Sequence, residues 1–162
     1  MPQYLISSMQ FRPPKYLPTL IISSIDEARI VNKILKSVDI PYIEVTLRST
    51  VSIEAIEYIA DQTNINLGIG TVLNTNQLLN LPIPKIKFVV SPGLNKDVAH
   101  FCNENNIEYI PGVETSTEIM EAQSYGFDIL KFFPAELAGG VQKLKALTSI
   151  FPKVSFMCTG GV

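Results

Sequence analysis

Parallel strands joined by crossover helices and closed toward a barrel are the architecture this α/β sequence predicts, on three observations. Short apolar runs recur with starts about 20 to 25 residues apart, the spacing of one strand plus one crossover helix. Between them, apolar residues repeat at helical spacing behind capping pairs. Glycines gather after several later strands and are missing from the first strand-helix turn.

The first run is Leu17–Ile22. Ser24, three residues before Glu27, is a capping box that opens a helix whose apolar face carries Ala28, Val31, Ile34, Leu35 and Val38. A second run, Tyr42–Leu47, precedes a helical pattern at Ile53, Ile56, Ile59 and Ala60. The third, Leu67–Ile69, is followed by Asn74 and Gln77 as a further helix start, then by Leu81-Pro-Ile-Pro84, which reads as a loop. Phe88–Val90 and Tyr109–Ile110 are the fourth and fifth runs. Between them His100 lies beside Phe101 on a predicted helix and fits a surface or packing role. Thr115 with Glu118 caps the helix before Ile129–Phe133, and Val154–Met157 is the seventh run. Most runs are nearly continuous in apolar character, as strands covered on both faces are.

Seven such strands allow an open doubly wound sheet or a closed barrel. An open nucleotide-binding sheet carries a Gly-rich first turn, and here that turn is Ile22-Ser-Ser-Ile-Asp26. The glycines at 68 and 70, 93, 112, 139 and 140, and 160 and 161 follow later strands, which favours a barrel whose site is assembled from many strand ends. Length pulls the other way, because 162 residues fall short of the ~200 of a complete barrel.

The composition, 46% hydrophobic and 17% charged, describes one domain able to bury a core and excludes disorder. A net charge of −2 leaves no electrostatic footprint for nucleic acid or an anionic membrane. Met1 to Lys15 lacks a basic segment ahead of an apolar run, and no stretch approaches the ~20 apolar residues of a membrane span. A cytoplasmic protein is expected. Cys102 and Cys158 read as free thiols in a reducing compartment, and one histidine cannot complete a His-rich metal site with them.

Two strands carry residues that packing does not need. In Ile43-Glu-Val-Thr-Leu-Arg48 the residues alternate, so Glu44, Thr46 and Arg48 share a face. That face points into a barrel, or toward solvent if the strand is an edge. In Ile129-Leu-Lys-Phe-Phe-Pro134 a lone Lys131 sits among bulky apolar neighbours. It is a snorkelling lysine, half of a buried ion pair, or a desolvated amine able to form a Schiff base with a carbonyl, with Glu44 as the proton carrier.

Six segments, Glu44-Val-Thr-Leu-Arg48, Gly68-Ile-Gly-Thr-Val-Leu73, Ser91-Pro-Gly93, Ile110-Pro-Gly112, Lys131-Phe-Phe-Pro-Ala-Glu136 with Gly139-Gly140, and Thr159-Gly-Gly161, occur in the order and spacing of one family. From about Leu17 to Val162 the chain resembles the 2-keto-3-deoxy-6-phosphogluconate aldolases, also called 2-keto-4-hydroxyglutarate aldolases. The resemblance implies a metal-independent class I aldolase on a (β/α)8 TIM-type barrel, cleaving the phosphorylated keto sugar acid to pyruvate and glyceraldehyde 3-phosphate. By motif, Lys131 corresponds to the Schiff-base lysine and Glu44 to the acid/base. Arg48 and Thr71 correspond to the holders of the pyruvate carboxylate, and Thr159 to a substrate-contacting threonine. Gly160 and Gly161 match part of a phosphate cradle, while Pro92 and Phe133 match the pocket wall. No cofactor is implied beyond the covalent imine on Lys131. A homotrimer is the family's common assembly, and the phosphogalactonate aldolases are a related alternative.

The chain departs from the family at Cys158, where a proline often precedes the threonine. Family members also continue past Thr-Gly-Gly with a helix, an eighth strand bearing a phosphate loop and a closing helix. The expectation is therefore a single aldolase domain over residues 1–162 with seven of eight strands, open at the edges of its first and seventh strands and prone to self-association. A catalytically impaired remnant acting as an oligomerising or binding module is the competing expectation.

Overall fold

The computed structural model describes residues 14–48, 53–62 and 65–161. Most of the Met1 to Lys15 leader, and Val162, lie outside the described residues. Strands and helices alternate along the chain: β1 (Thr19–Leu20), α1 (Ile25–Ser37), β2 (Tyr42–Thr46), α2 (Ile53–Ala60), β3 (Asn66–Gly70), β4 (Ile86–Val90), α3 (Lys96–Glu104), β5 (Glu108–Ile110), β6 (Gly112–Val113), α4 (Ser116–Ser124), β7 (Ile129–Phe132), α5 (Gly140–Ile150) and β8 (Ser155–Cys158). All pairings are parallel, in the orders β1-β2-β3-β4-β5 and β6-β7-β8. The predicted run Tyr109–Ile110 lies in β5, and after Pro111, which has no N–H to give to a ladder, a further short strand, β6, continues it where the sequence predicts none. The break lets the first segment pair with β4 and the second with β7. Together they form the strand wall of a TIM-type (β/α) barrel with seven strand positions, and among the described residues β1 and β8 are each paired on one side only.

Alternation along the strands divides the core in two. Ile43, Val45, Leu67, Ile69, Val89, Tyr109, Leu130 and Phe132 face outward and are buried together with helix residues such as Ala28, Leu35, Ile56, Ile59, Val98 and Ile119. Phe88, Val90 and Ile110 face inward, joined by Leu17, Tyr42, Ile129 and Met157, and fill the barrel. A Cβ at Gly68 would enter the Phe88 ring, so the small residue on β3 makes room for the large one on β4. The polar residues of the site sit beyond this apolar plug.

Three expectations are corrected. β1 has two residues rather than six, for among the described residues it has a ladder on one side only. Asn74 and Gln77 do form a capping box, but it heads a 3-10 turn, Thr75–Gln77, rather than an α-helix. Pro82 and Pro84 follow closely and support only another short turn, Ile83–Lys85. On α1 the buried face is Ala28, Asn32 and Leu35, whereas Ile34 and Val38 remain 54% and 52% exposed. Asn32 is accommodated because its amide donates to Gln62 Oε1 at 3.0 Å. The caps at Ser24 and Thr115 form as the sequence predicts, each hydroxyl accepting the backbone N–H three residues on.

Candidate active site

A cavity of about 360 Å³ opens where the C-terminal ends of β2, β7 and β8 meet β1, lined by Leu17, Thr19, Glu44, Arg48, Lys131, Phe133, Cys158, Thr159 and Gly160. This is the end at which barrel strands and their loops converge on a ligand. Glu44 is 0% exposed and Lys131 only 3%, so strand alternation turns both inward, as one of the two sequence readings of each segment required. Glu44 fits there because the next strand offers Gly70: a Cβ at that position would fall on the Glu44 carboxyl.

Lys131 Nζ lies 4.7 Å from the centre of the Phe133 ring. Burial holds its pKa below the ordinary lysine value, the Arg48 charge adds to that depression, and the Glu44 carboxylate opposes it. Burial likewise raises the Glu44 pKa, against the attraction of Lys131 and Arg48 and the pull of the nearby Thr19 hydroxyl. The two residues influence each other without a direct ion pair, and neither Glu44 oxygen has a fully formed hydrogen bond among the described residues. Thr159 Oγ1 is also buried without a partner. Buried polar atoms left unpaired cost about 1–3 kcal/mol each, and here they converge on an opening of small-molecule size.

Arg48 Nε donates to Thr71 Oγ1 at 3.3 Å, bringing these two residues together at the cavity edge. Thr71 has φ of 60°, a left-handed conformation that a β-branched residue adopts at a cost of about 1–3 kcal/mol. Its neighbours hold it there, with Ser91 Oγ donating to the Val72 carbonyl at 2.6 Å and Val72 N–H to the Val90 carbonyl at 3.2 Å. The turn after β8 is tied to the segment after β7 by Ala135 N–H to the Thr159 carbonyl, 2.8 Å, and Glu136 N–H to the Gly160 carbonyl, 2.9 Å.

Glu44, Arg48, Lys131, Phe133, Thr159 and Gly160 thus share one cavity, with Thr71 attached through Arg48. Pro92 instead lines an adjoining cavity of about 490 Å³ on the other side of Phe133. Gly161 turns toward Glu136 in a third, of about 240 Å³, which also meets Cys158. The sequence marks Gly70 as one of the glycines around β3 but not as the residue that makes room for Glu44, and it gives Thr19 and Leu17 no site role. A glycine inside a strand signals a close approach, whereas Thr19 and Leu17 carry no such signal, and β1 meets β2 over only two register pairs.

Cys102 is buried in the outer core, its thiol pushed up to about 12 mainly by desolvation. Burial also raises the Cys158 thiol, at the cavity wall. His100 is exposed on α3, with Nε2 3.1 Å from Glu104. Among the described residues no three His, Cys, Asp or Glu side chains cluster to hold a metal, and no helix is long and apolar enough to cross a membrane.

Comparison with known proteins bears on the chain as a whole. The family pattern "KDPG and KHG aldolase" matches residues 8–162. The 2-dehydro-3-deoxy-phosphogluconate aldolase of Dickeya dadantii is 36% identical over 147 residues, 90% of this chain and 69% of the relative. The KHG/KDPG aldolase of Escherichia coli K12 matches to the same extent, 36% over 147 residues, 90% of this chain and 69% of its own. Among solved structures, the KDPG aldolase of Legionella pneumophila with pyruvate captured at low pH as a covalent carbinolamine intermediate superposes with a TM-score of 0.83 at 34% identity, covering 90% of this chain and 71% of that one. A shared barrel, a sequence pattern spanning nearly the whole chain and the aldolase names of these relatives lead to one conclusion: this chain belongs to the KDPG and KHG aldolase family.

Proposed function

We propose that the chain is a single-domain class I aldolase that cleaves 2-keto-3-deoxy-6-phosphogluconate to pyruvate and glyceraldehyde 3-phosphate through an imine on Lys131, and that also accepts 4-hydroxy-2-oxoglutarate. The observation that carries this is a nearly buried lysine amine in the same cavity as a buried, hydrogen-bond-poor carboxyl. Burial favours the neutral amine, the form that attacks a carbonyl. Burial also favours the protonated carboxyl, the form in which Glu44 can give a proton before it takes one.

In this reaction Lys131 adds to the C2 carbonyl, Glu44 supplies the proton with which the carbinolamine loses water, and the resulting iminium withdraws electrons from C3. Glu44, now a carboxylate, removes the C4 hydroxyl proton as the C3–C4 bond breaks and the aldehyde leaves. The enamine is reprotonated at C3 and hydrolysed, which frees pyruvate and the amine. Arg48, braced by Thr71, donates to the pyruvate carboxylate, for which its planar fork is suited. Phe133 walls the reacting carbons, Thr159 donates to substrate oxygen, and backbone at Gly160 and Gly161 receives the phosphate. Pro92 supports Phe133 from the adjoining cavity. The carbinolamine held by the Legionella relative supports the same covalent chemistry here.

Such an enzyme would serve the Entner-Doudoroff route of sugar-acid breakdown in the cytoplasm, as a homotrimer, with no bound cofactor. Pyruvate release followed with lactate dehydrogenase tests it: turnover of the phosphogluconate substrate that Lys131→Met abolishes is expected. Well-folded protein that turns over only the phosphogalactonate epimer overturns the substrate assignment, and no turnover of either, or of 4-hydroxy-2-oxoglutarate, overturns the function.

A further inference from the structure

Resting on the reading of Glu44 as the proton carrier, we propose that Thr19 is its positioning residue: the Thr19 hydroxyl turns from the Leu17 carbonyl to Glu44 and holds the carboxylate at the reacting end of the cavity. Thr19 is the register partner of Glu44 across β1 and β2, so the two side chains stand next to each other on one face. Both line the catalytic cavity.

Every other group facing Glu44 leaves the role open. On β3 its neighbour is Gly70, which has no side chain. Lys131 on β7 and Arg48 beyond the end of β2 act on it as charges, not as direct hydrogen-bond partners. Thr46, the next inward residue of β2, donates instead to the Leu20 carbonyl at 3.3 Å. Of the cavity's hydroxyl residues, Thr19 is the one paired in register with Glu44, whose carboxyl oxygens have no hydrogen-bond partner among the described residues.

Thr19 is free to make that turn. Its hydroxyl is 3.5 Å from the Leu17 carbonyl, beyond the ~2.5–3.0 Å of a good O–H···O bond, so little is lost when it rotates. A hydroxyl donates to a carboxylate and accepts from a carboxylic acid, and so can follow Glu44 through both states. Donation stabilises the charged form and opposes the effect of burial. Loss of the hydroxyl must therefore shift the Glu44 titration to higher pH.

The test compares Thr19→Val, which removes the hydroxyl at constant shape, with Thr19→Ser, which keeps it. The Glu44 side-chain carboxyl is titrated by carbon NMR in the full unliganded chain, its signal assigned by loss in Glu44→Gln. Thr19→Val should move the midpoint up by about one pH unit, the size of a hydrogen bond to a charged group, and Thr19→Ser should leave it in place. The same displacement should appear in the pH profile of kcat/KM, with KM for substrate little changed. If valine disturbs β1, Thr19→Ala gives the same reading. A Glu44 midpoint unmoved in Thr19→Val and Thr19→Ala, or moved equally in Thr19→Ser, overturns the proposal. The titration needs no turnover, so a chain that fails to form a pyruvate adduct on Lys131 yet shows the shift loses the aldolase reading and keeps the Thr19 contact.

Discussion

Gly70→Ala should disable the site without altering either titratable residue. Gly70 lies at the end of β3 with ordinary strand backbone, so alanine suits the chain conformation there. The added methyl would stand 2.6 Å from Glu44 Cδ and 2.8 Å from Cγ, where carbon contacts need ~3.5–4.0 Å. Glu44 must therefore retreat by about 1 Å, a displacement that costs on the order of 100-fold in rate when it separates a proton carrier from its substrate. That loss equals about 2.7 kcal/mol of transition-state stabilisation. Overpacking costs the fold about 1–3 kcal/mol, partly offset by about 0.4–1 kcal/mol from replacing glycine. The assay is kcat/KM for pyruvate release together with a thermal melt. A variant that folds and retains kcat/KM within about threefold of the parent would refute the claim that Gly70 sets the place of Glu44.

Glu108, on β5, has its carboxyl raised by desolvation from 4.5 to about 7. The folded state then binds more protons than the unfolded state between those values, so stability falls as pH rises through this window. A fully desolvated group would contribute about 3 kcal/mol. Solvent reaching this half-buried carboxyl reduces that to about 1 kcal/mol, so Glu108→Gln should melt roughly 2–4 °C higher than the parent at pH 8 and show little gain at pH 4.5. Phe88, fully buried inside the barrel over Gly68, should cost about 3–5 kcal/mol as Phe88→Ala, read by urea denaturation. Cys102, with its thiol at about 12, should escape iodoacetamide in the native protein at pH 8 and react once the chain is unfolded, as followed by mass spectrometry.

Much of the fold was legible because burial leaves a period in the sequence. The apolar runs coincide with strands, and the Ser24 and Thr115 caps begin helices where their hydrogen bonds dictate. Lateral relations leave no such trace. The Asn74 box looks the same whether an α-helix or a 3-10 turn follows, and only the prolines at 82 and 84 decide it. Pro111 shows where a strand bends but not that the two halves pair with different neighbours. On α1, spacing identifies Ile34 and Val38 as apolar but not which apolar flank the neighbouring helix covers.

The candidate site follows the same division. Glu44 and Lys131 stood out because a charged residue inside an apolar strand contradicts its surroundings. Thr19 did not, since a threonine contradicts nothing until its strand brings Glu44 against it, and the glycine at 70 marks a close approach without showing that Glu44 is the neighbour. The separation of Pro92 and Gly161 into neighbouring cavities is likewise a matter of side-chain direction at loop ends. A strand period does not extend that far.

Covalent trapping on Lys131 tests the central claim most directly. The folded chain is incubated with pyruvate and borohydride, digested, and every lysine peptide is weighed by mass spectrometry. A reduced pyruvate adduct on Lys131, absent from Lys131→Met and absent when borohydride is left out, is the expected result. Folded protein with no adduct, or with its adduct on another lysine, would contradict it.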